Sequence, residues 1–331
     1  MPTADSHHLP RVFVSRALPG NAPLERLRAA TTPDVWELDR PPTYEEVAER
    51  SAGCAGLLTM LTERVDAALL DCRPNVRVVA NMAVGYDNVD VVAATERGVL
   101  VTNTPGVLTE TTADLAFALL LGAARRIGES EHAVRDGAWG PWHPTWMLGS
   151  AVHGATLGVV GPGRIGAAVA QRAQGFGMRV LYHGRRRARG FPGESVDLHT
   201  LLGASDFVSV HVPLSTETEG MFGAEAFARM QPHAIFVNTS RGGVVDQAAL
   251  RDALVRGEIG GAALDVTTPE PLPPDDPLLD APNLLVTPHI GSATGPTRER
   301  MADLAVDGLL AALAGERPEH LVNPEAWERR R

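Results

Sequence analysis

Hydrophobic positions come in short runs along the chain, each followed by a stretch with helical spacing. "RVFVS" (11–15) precedes "LERLRAA" (24–30), "VWEL" (35–38) precedes "YEEVAER" (44–50), and "GLLTML" (56–61) precedes "VDAALLD" (65–71). "VRVVANM" (76–82) then leads to "VDVVAATERG" (89–98) and "VLVTNT" (99–104). Continuous apolar runs alternating with amphipathic helices predict a parallel sheet covered on both faces. Pro105-Gly106 breaks the pattern, and "TETTADLAFALLLGAARRI" (109–127) predicts one long helix, with Thr109, Thr112 and Asp114 as capping and dipole residues of its first turns. A segment rich in Gly, Pro and Trp, "GAWGPWHPTWMLGS" (137–150), interrupts. A second strand series follows in "ATLGVVG", "RVLYHG", "DFVSVHV", "AIFVNTS", "GAALDV" and "LLVTPHI", and helix returns in "RERMADLAVDGLLAALAG" (298–315). The prediction is an α/β protein of two doubly wound parallel-sheet domains, with no short-period repeat.

The second series carries a sharper signal. Gly161-Pro162-Gly163-Arg164-Ile165-Gly166 follows a strand and opens a helix with apolar positions at Ile165, Val169, Ala173 and Phe176. Alone, G-x-G-x-x-G is weak; between strand and helix it is a dinucleotide fingerprint, with the helix N-terminus facing the pyrophosphate. Some flavin proteins use a similar loop, so the loop does not choose the cofactor. NAD sites place an acid roughly 20 residues further on, for the ribose hydroxyls. This chain has His183-Gly184 there, then Arg185-Arg186-Arg187. A solvated basic loop is the ordinary meaning of such a run. Its position right after the second strand of the unit favours a 2′-phosphate held by Arg185 and Arg186, hence NADPH over NADH, with NADH as the alternative.

Three ionisable residues stand at or just beyond strand ends: Arg241 in "AIFVNTSRGGVVD", Glu270 in "AALDVTTPEPL" and His289 in "LLVTPHIGSAT". Each alone has an ordinary explanation as a surface arginine, a loop glutamate or a strand-end histidine. Together, at the edge where open α/β sheets bind ligands, they predict a site. Reduction of a 2-keto acid needs a proton at the carbonyl oxygen, which an imidazolium at His289 supplies. Glu270 on the other ring nitrogen favours that protonated form, and Arg241 holds the substrate carboxylate and polarises the carbonyl.

Composition narrows the classes. With 331 residues, 44% hydrophobic and 21% charged, the chain is long enough for two domains and ordinary for a globular protein. A formal net charge of −10 gives no footprint for nucleic acid or an anionic membrane. The N-terminal "MPTADSHHLP" has no secretory pattern, and the most apolar segment, "LAFALLLGAA", is too short to span a bilayer, so a cytoplasmic protein is expected. Cys54 and Cys72 read as buried free thiols of a reducing compartment. His7-His8 and the His132, His143, His153 series lack metal-ligand spacing, and no metal is expected. Arg329-Arg330-Arg331 reads as a solvated tail.

At these residues the chain resembles the D-isomer-specific 2-hydroxyacid dehydrogenase family, in its glyoxylate/hydroxypyruvate reductase branch. The matching stretches are "NMAVGYDNVD", "TPGVLTETTADLAFALLL", "GVVGPGRIG", "NTSRGGVVDQAAL", "LDVTTPEPLPPDDPLL" and "PHIGSAT", which run from about residue 50 to 310. The resemblance implies a Rossmann-type cofactor domain (106–290) inserted into a flavodoxin-like substrate domain (1–105 and 291–331). It implies Arg241, Glu270 and His289 as the catalytic set, with backbone amides at Val84-Gly85, and Ser292 beside His289, on the substrate. It further implies that the glycine loop, Gly184, Pro213, Thr239, Asp265 and Gly291 line the cofactor, Asp265 near the nicotinamide amide. A homodimer joined through the cofactor domains is implied, with Trp142 reaching the partner's active site. Pro162 departs from the family, which has an aliphatic residue there; only a slight effect on pyrophosphate binding is expected. Gly184 replaces the acid of NAD-specific members, and Glu270 argues against the formate dehydrogenase branch, which has glutamine.

The activity expected is reduction of glyoxylate and hydroxypyruvate to glycolate and D-glycerate. The alternative within enzymes is a bulkier 2-keto acid, 2-ketogluconate-like or aryl, decided by pocket size at Leu57, Leu58, Met60 and the tryptophan segment. Tyr86, next to the substrate turn, suits substrate contact or packing equally. A dinucleotide-sensing binding protein on the same fold is the reading outside enzymology.

Overall fold

The structure, a computed structural model, describes residues 9–330, so His7, His8 and Arg331 lie outside the described residues. The chain divides into two units, residues 1–108 with 293–331, and residues 109–292.

The first unit is a five-stranded parallel sheet of β1 (Arg11–Val14), β2 (Thr32–Val35), β3 (Gly56–Thr59), β4 (Val78–Asn81) and β5 (Leu100–Thr102), in the order β2-β1-β3-β4-β5. That order is the flavodoxin-like one. Side chains alternate between faces, as strand geometry requires. Val12, Val14, Leu58, Val78 and Ala80 pack with Met301, Ala305, Val306 and Leu309 of the helix Gly295–Leu313. Phe13, Leu57, Val79 and Val101 face the other way, into Trp36, Val47, Leu69 and Leu70. Both faces are dry, which is why each strand reads as an unbroken apolar run.

The second unit is a seven-stranded parallel sheet of β6 (Thr156–Val160), β7 (Arg179–His183), β8 (Glu194–Ser195), β9 (Phe207–Val210), β10 (Ile235–Asn238), β11 (Gly261–Leu264) and β12 (Leu284–Val286). Its order, β12-β11-β10-β9-β6-β7-β8, reverses at β6/β9, the switch point of a dinucleotide-binding fold. Leu157, Val159, Val180 and Val237 face the helices Thr109–Ala124 and Arg164–Gln174. Val160, Val208, Phe236 and Leu264 face Leu201, Phe222, Phe227 and Leu250.

Several expectations need correction. The second strand is Thr32–Val35, not 35–38: Pro33 reads as a breaker but is tolerated because β2 is an edge strand, and Trp36 turns into the core. The helix expected over 109–127 stops at Ala124. Arg126 adopts φ 53°, a new helix runs Ile127–Arg135, and Ser150 N–H caps the Ala124 carbonyl at 2.8 Å. Thr112 and Asp114 act through tertiary contacts: Thr112 Oγ1 bonds Gly291 O (3.3 Å), and Asp114 pairs with Arg172. Cys54 is buried, but Cys72 is exposed. Leu57 and Leu58 are wholly buried on opposite sheet faces, so they belong to the core and not to a substrate pocket. Among the described residues no helix is long and apolar enough to cross a membrane.

Candidate active site

Arg241, Glu270 and His289 each follow a neighbouring strand of the second sheet, β10, β11 and β12. Asn238 and Gln247 fix their loops through side-chain bonds. Asn238 Oδ1 accepts from Ser240 N (3.0 Å) and Ser240 Oγ (2.7 Å), and Asn238 Nδ2 donates to Arg241 O (2.9 Å), which fixes the turn. Gly242 then passes so close to the Thr267 carbonyl that no side chain fits there. Gln247 closes the join, accepting from Thr268 N (2.6 Å) and donating to Thr268 O (2.8 Å).

Glu270 lies between two cis X-Pro bonds, Thr268–Pro269 and Glu270–Pro271. Its Oε1 accepts from Thr267 N (3.0 Å) and its Oε2 meets His289 Nδ1 at 2.7 Å. Burial pushes this carboxyl up. The hydrogen bond and charge of His289, the Thr267 N–H and the Arg241 charge outweigh it, so the group ionises below the ordinary carboxylate range. His289 and Glu270 are each about 30% exposed (28% and 30%), open enough for a small molecule to reach the ring.

The His289 turn rests on Asp265, whose side chain is 1% exposed. Asp265 Oδ1 accepts from Thr287 Oγ1 (2.6 Å) and Ile290 N (2.8 Å), and Oδ2 accepts from Gly291 N (2.8 Å). Its main-chain carbonyl takes the His289 N–H at 2.9 Å. His289 itself holds φ 53°, a left-handed conformation unusual for a side chain with a Cβ. Gly291 is buried between Asp265 Oδ2 and Thr112, and Ser292, half-buried, follows it. The sequence singles out Asp265 only by resemblance; its part in holding the histidine turn appears only in three dimensions.

The glycine loop joins β6 to the helix Arg164–Gln174, with Gly163 at the N-cap. Gly161 has φ 100°, and Gly166 is pressed against the Gly161 carbonyl, so both positions require glycine. Gly163 and Arg164 are exposed and Ile165 is partly buried, which leaves the helix N-terminus open to an anion. Arg185 and Arg186 are exposed beyond β7, after the half-buried Gly184. Glu217 has its carboxyl held low by Ser215 Oγ and its own N–H, against burial, with a lesser contribution from the Arg185 charge. Pro213 is exposed, and its carbonyl takes Thr218 Oγ1 at 2.6 Å. Thr239 Oγ1 is buried and, among the described residues, has no hydrogen-bond partner. A buried hydroxyl without a partner after β10, an exposed helix N-terminus after β6 and a basic loop after β7 all lie at strand ends of one parallel sheet, and together they fit a bound dinucleotide.

In the first unit, Val84 and Gly85 are half-buried after β4. Asn103 Nδ2 holds the Val84 carbonyl (2.8 Å) and Asn81 Nδ2 the Gly85 carbonyl (2.9 Å). Trp142 is 87% exposed and Tyr86 42% exposed. Among the described residues no cluster of three metal-ligating side chains is present.

Removing the Asp265 carboxyl takes the acceptor from the buried Gly291 N–H and the part-buried Ile290 N–H, and the shorter of its two bonds from the Thr287 hydroxyl. Asp265→Ala is therefore expected to lower unfolding stability by about 2–4 kcal/mol, measured by denaturant titration; a loss under about 0.5 kcal/mol contradicts the bracing role.

Comparison with known proteins identifies the family. Residues 117–291 match the model of the D-isomer specific 2-hydroxyacid dehydrogenase, NAD binding domain. The chain is 52% identical over 321 residues to a glyoxylate reductase of Korarchaeum cryptofilum, covering 96% of each chain, and 46% identical over 324 residues to one of Thermococcus litoralis, covering 96% and 97%. A Thermus thermophilus crystal structure superposes with a TM-score of 0.88 at 48% identity, over 94% of this chain and 99% of that one. An NADPH-dependent glyoxylate/hydroxypyruvate reductase from Sinorhizobium meliloti, in complex with NADP and malonate, superposes with a TM-score of 0.84 at 35% identity, over 96% and 98%. The chain belongs to the D-isomer-specific 2-hydroxyacid dehydrogenase family, in the branch of the glyoxylate reductases, and is an NAD(P)-dependent oxidoreductase.

Proposed function

We infer that this protein reduces glyoxylate and hydroxypyruvate to glycolate and D-glycerate, with NADPH as the preferred cofactor and NADH as the alternative. The observation that carries the reading is the 2.7 Å contact between His289 Nδ1 and Glu270 Oε2 beside Arg241. A bound nicotinamide dinucleotide supplies the hydride. The protein supplies the rest. Arg241, with Ser292, holds the substrate carboxylate, and Arg241 also draws charge onto the carbonyl oxygen. Glu270 fixes the ring through Nδ1, so the opposite nitrogen, Nε2, carries the proton that His289 gives to that oxygen. Asp265 and Gly291 shape the nicotinamide end of the cofactor site. Gly161, Gly163, Arg164, Ile165 and Gly166 cradle the pyrophosphate, with Pro213 and Thr239 beside it.

Preference for NADPH is supported by Gly184 in place of an acid and by exposed Arg185 and Arg186 behind it. A homodimer is supported by the exposure of Trp139, Trp142 and Leu148, 69%, 87% and 64%, an apolar surface that a second copy would cover. Trp142 is the residue proposed to reach the partner's substrate.

Initial rates at 340 nm, crossing NADPH and NADH against glyoxylate, hydroxypyruvate, pyruvate and 2-ketogluconate, test the whole reading. Fast NADPH oxidation with the first two is expected; turnover confined to a bulkier keto acid refutes the substrate assignment. His289→Ala is expected to lower kcat about 10²–10⁴-fold in a folded protein. Because the Glu270 carboxyl ionises below its ordinary range, it stays charged through mild acid and keeps its bond to the His289 ring. The reduction rate should therefore hold through mild acid and fall only as pH drops below the ordinary carboxylate range, and Glu270→Gln should abolish that acid limb; an unmoved acid limb removes Glu270 from the proton relay. Arg185→Asp should raise the KM for NADPH at least about tenfold with little change for NADH, and equal effects on both would dismiss the phosphate contact. Sedimentation should give a dimer, and Trp142→Ala should raise the KM for the keto acid; a monomer with full activity contradicts the shared site.

A further inference from the structure

The glycine loop and the end of β7 form one packed body. Gly161 N–H donates to His183 O at 2.9 Å, which ties the loop to the strand end. On its other side Gly161 lies against the exit of β9, where an added Cβ would stand 2.6 Å from His211 O. Gly166 presses on the Gly161 carbonyl from the helix side. Gly161 is thus held by backbone on three sides.

Pro162 sits within this clamp, and its ring faces Gly184. A Cβ at 184 would lie 2.5 Å from Pro162 Cδ and 2.7 Å from Pro162 Cγ. Both distances fall under 3.0 Å, where something has to move. The ring is closed on the main-chain nitrogen, so puckering can move Cγ but leaves Cδ, at 2.5 Å, in place. Moving Cδ means moving the loop, whose neighbours are backbone.

We propose that Pro162 is a cofactor-selectivity residue: its ring fills the volume that any side chain at position 184 needs. Position 184 is where NAD-type sites carry the acid that bonds the ribose hydroxyls. In this chain the acid is therefore excluded by shape as well as missing from the sequence. The basic loop that follows then meets the 2′-phosphate with no carboxylate beside it. The proposal rests on the reading of Arg185 and Arg186 as the phosphate hold, and it adds a steric lock to their charge. It also gives Pro162 a larger part than a lost N–H near the pyrophosphate.

The test is a double-mutant cycle on the full chain. Wild type, Gly184→Ala, Pro162→Ala and the double variant are melted without cofactor. Gly184→Ala alone should lower the melting temperature by about 3–8 °C, and the same change in the Pro162→Ala background by less than about 2 °C. An insoluble Gly184→Ala chain made soluble by Pro162→Ala counts as the same result; equal losses, or insolubility, in both backgrounds overturn the lock. Gly184→Asp is then placed in each background, and dissociation constants for NADH and NADPH are read from nicotinamide fluorescence. NADH should bind at least about tenfold more tightly to Pro162→Ala/Gly184→Asp than to Gly184→Asp. If Gly184→Asp alone gains as much NADH affinity as the double variant, Pro162 does not set the preference. Should the wild type bind both cofactors equally, the phosphate reading fails, while the cofactor-free melting cycle still decides whether Pro162 excludes a side chain at 184.

Discussion

The buried carboxyl of Asp265 is the constraint on which the site depends. Burying it is costly unless its oxygens are matched by donors, and three donors of the β12 exit turn, Thr287 Oγ1, Ile290 N and Gly291 N, supply the match. In bonding them it dictates the path of residues 287–291 and holds His289 in a left-handed conformation that the residue alone would avoid. That conformation puts the imidazole within 2.7 Å of Glu270. Glu270 in turn is fixed by the Thr267 N–H, one strand nearer the sheet centre. The position of His289 is thus set by a short series of hydrogen bonds that ends in one shielded carboxyl.

Both sheets are parallel and covered on both faces, so polar chemistry is confined to strand ends. Loops there must come close to each other and to any ligand, and this explains where glycine is indispensable. Gly242 allows the Arg241 turn to touch Thr267, and Gly161 and Gly166 allow the helix N-terminus to approach the sheet. These are close approaches of backbone to backbone, which larger residues would prevent.

The strand series and the sheet-edge position of Arg241, Glu270 and His289 were readable because buried parallel strands announce themselves as apolar runs and their ends as sudden polarity. The failures have physical causes. Pro33 disguised an edge strand, since only an edge tolerates a residue without an N–H. The helix break at Arg126 depends on Ser150 arriving from 26 residues away in sequence to cap Ala124. Leu57 and Leu58 resemble pocket residues in sequence but alternate across a sheet with two dry faces. Asp265's three bonds and the meeting of Pro162 with Gly184 are tertiary facts, written in no local pattern.

Cofactor choice shows how attraction and exclusion combine. Arginines on an exposed loop gain little from charge alone, because water screens them. A protein that relied on such attraction would discriminate weakly between a phosphate and a hydroxyl. Discrimination grows when the competing ligand is also denied its best partner. An acid at 184 would bond a free ribose and repel a phosphate, so each substitution toward it would tip the balance twice. Under the proposed lock, the Pro162 ring held against Gly184 closes that route, and selectivity for NADPH would rest on packed backbone more than on mobile charge.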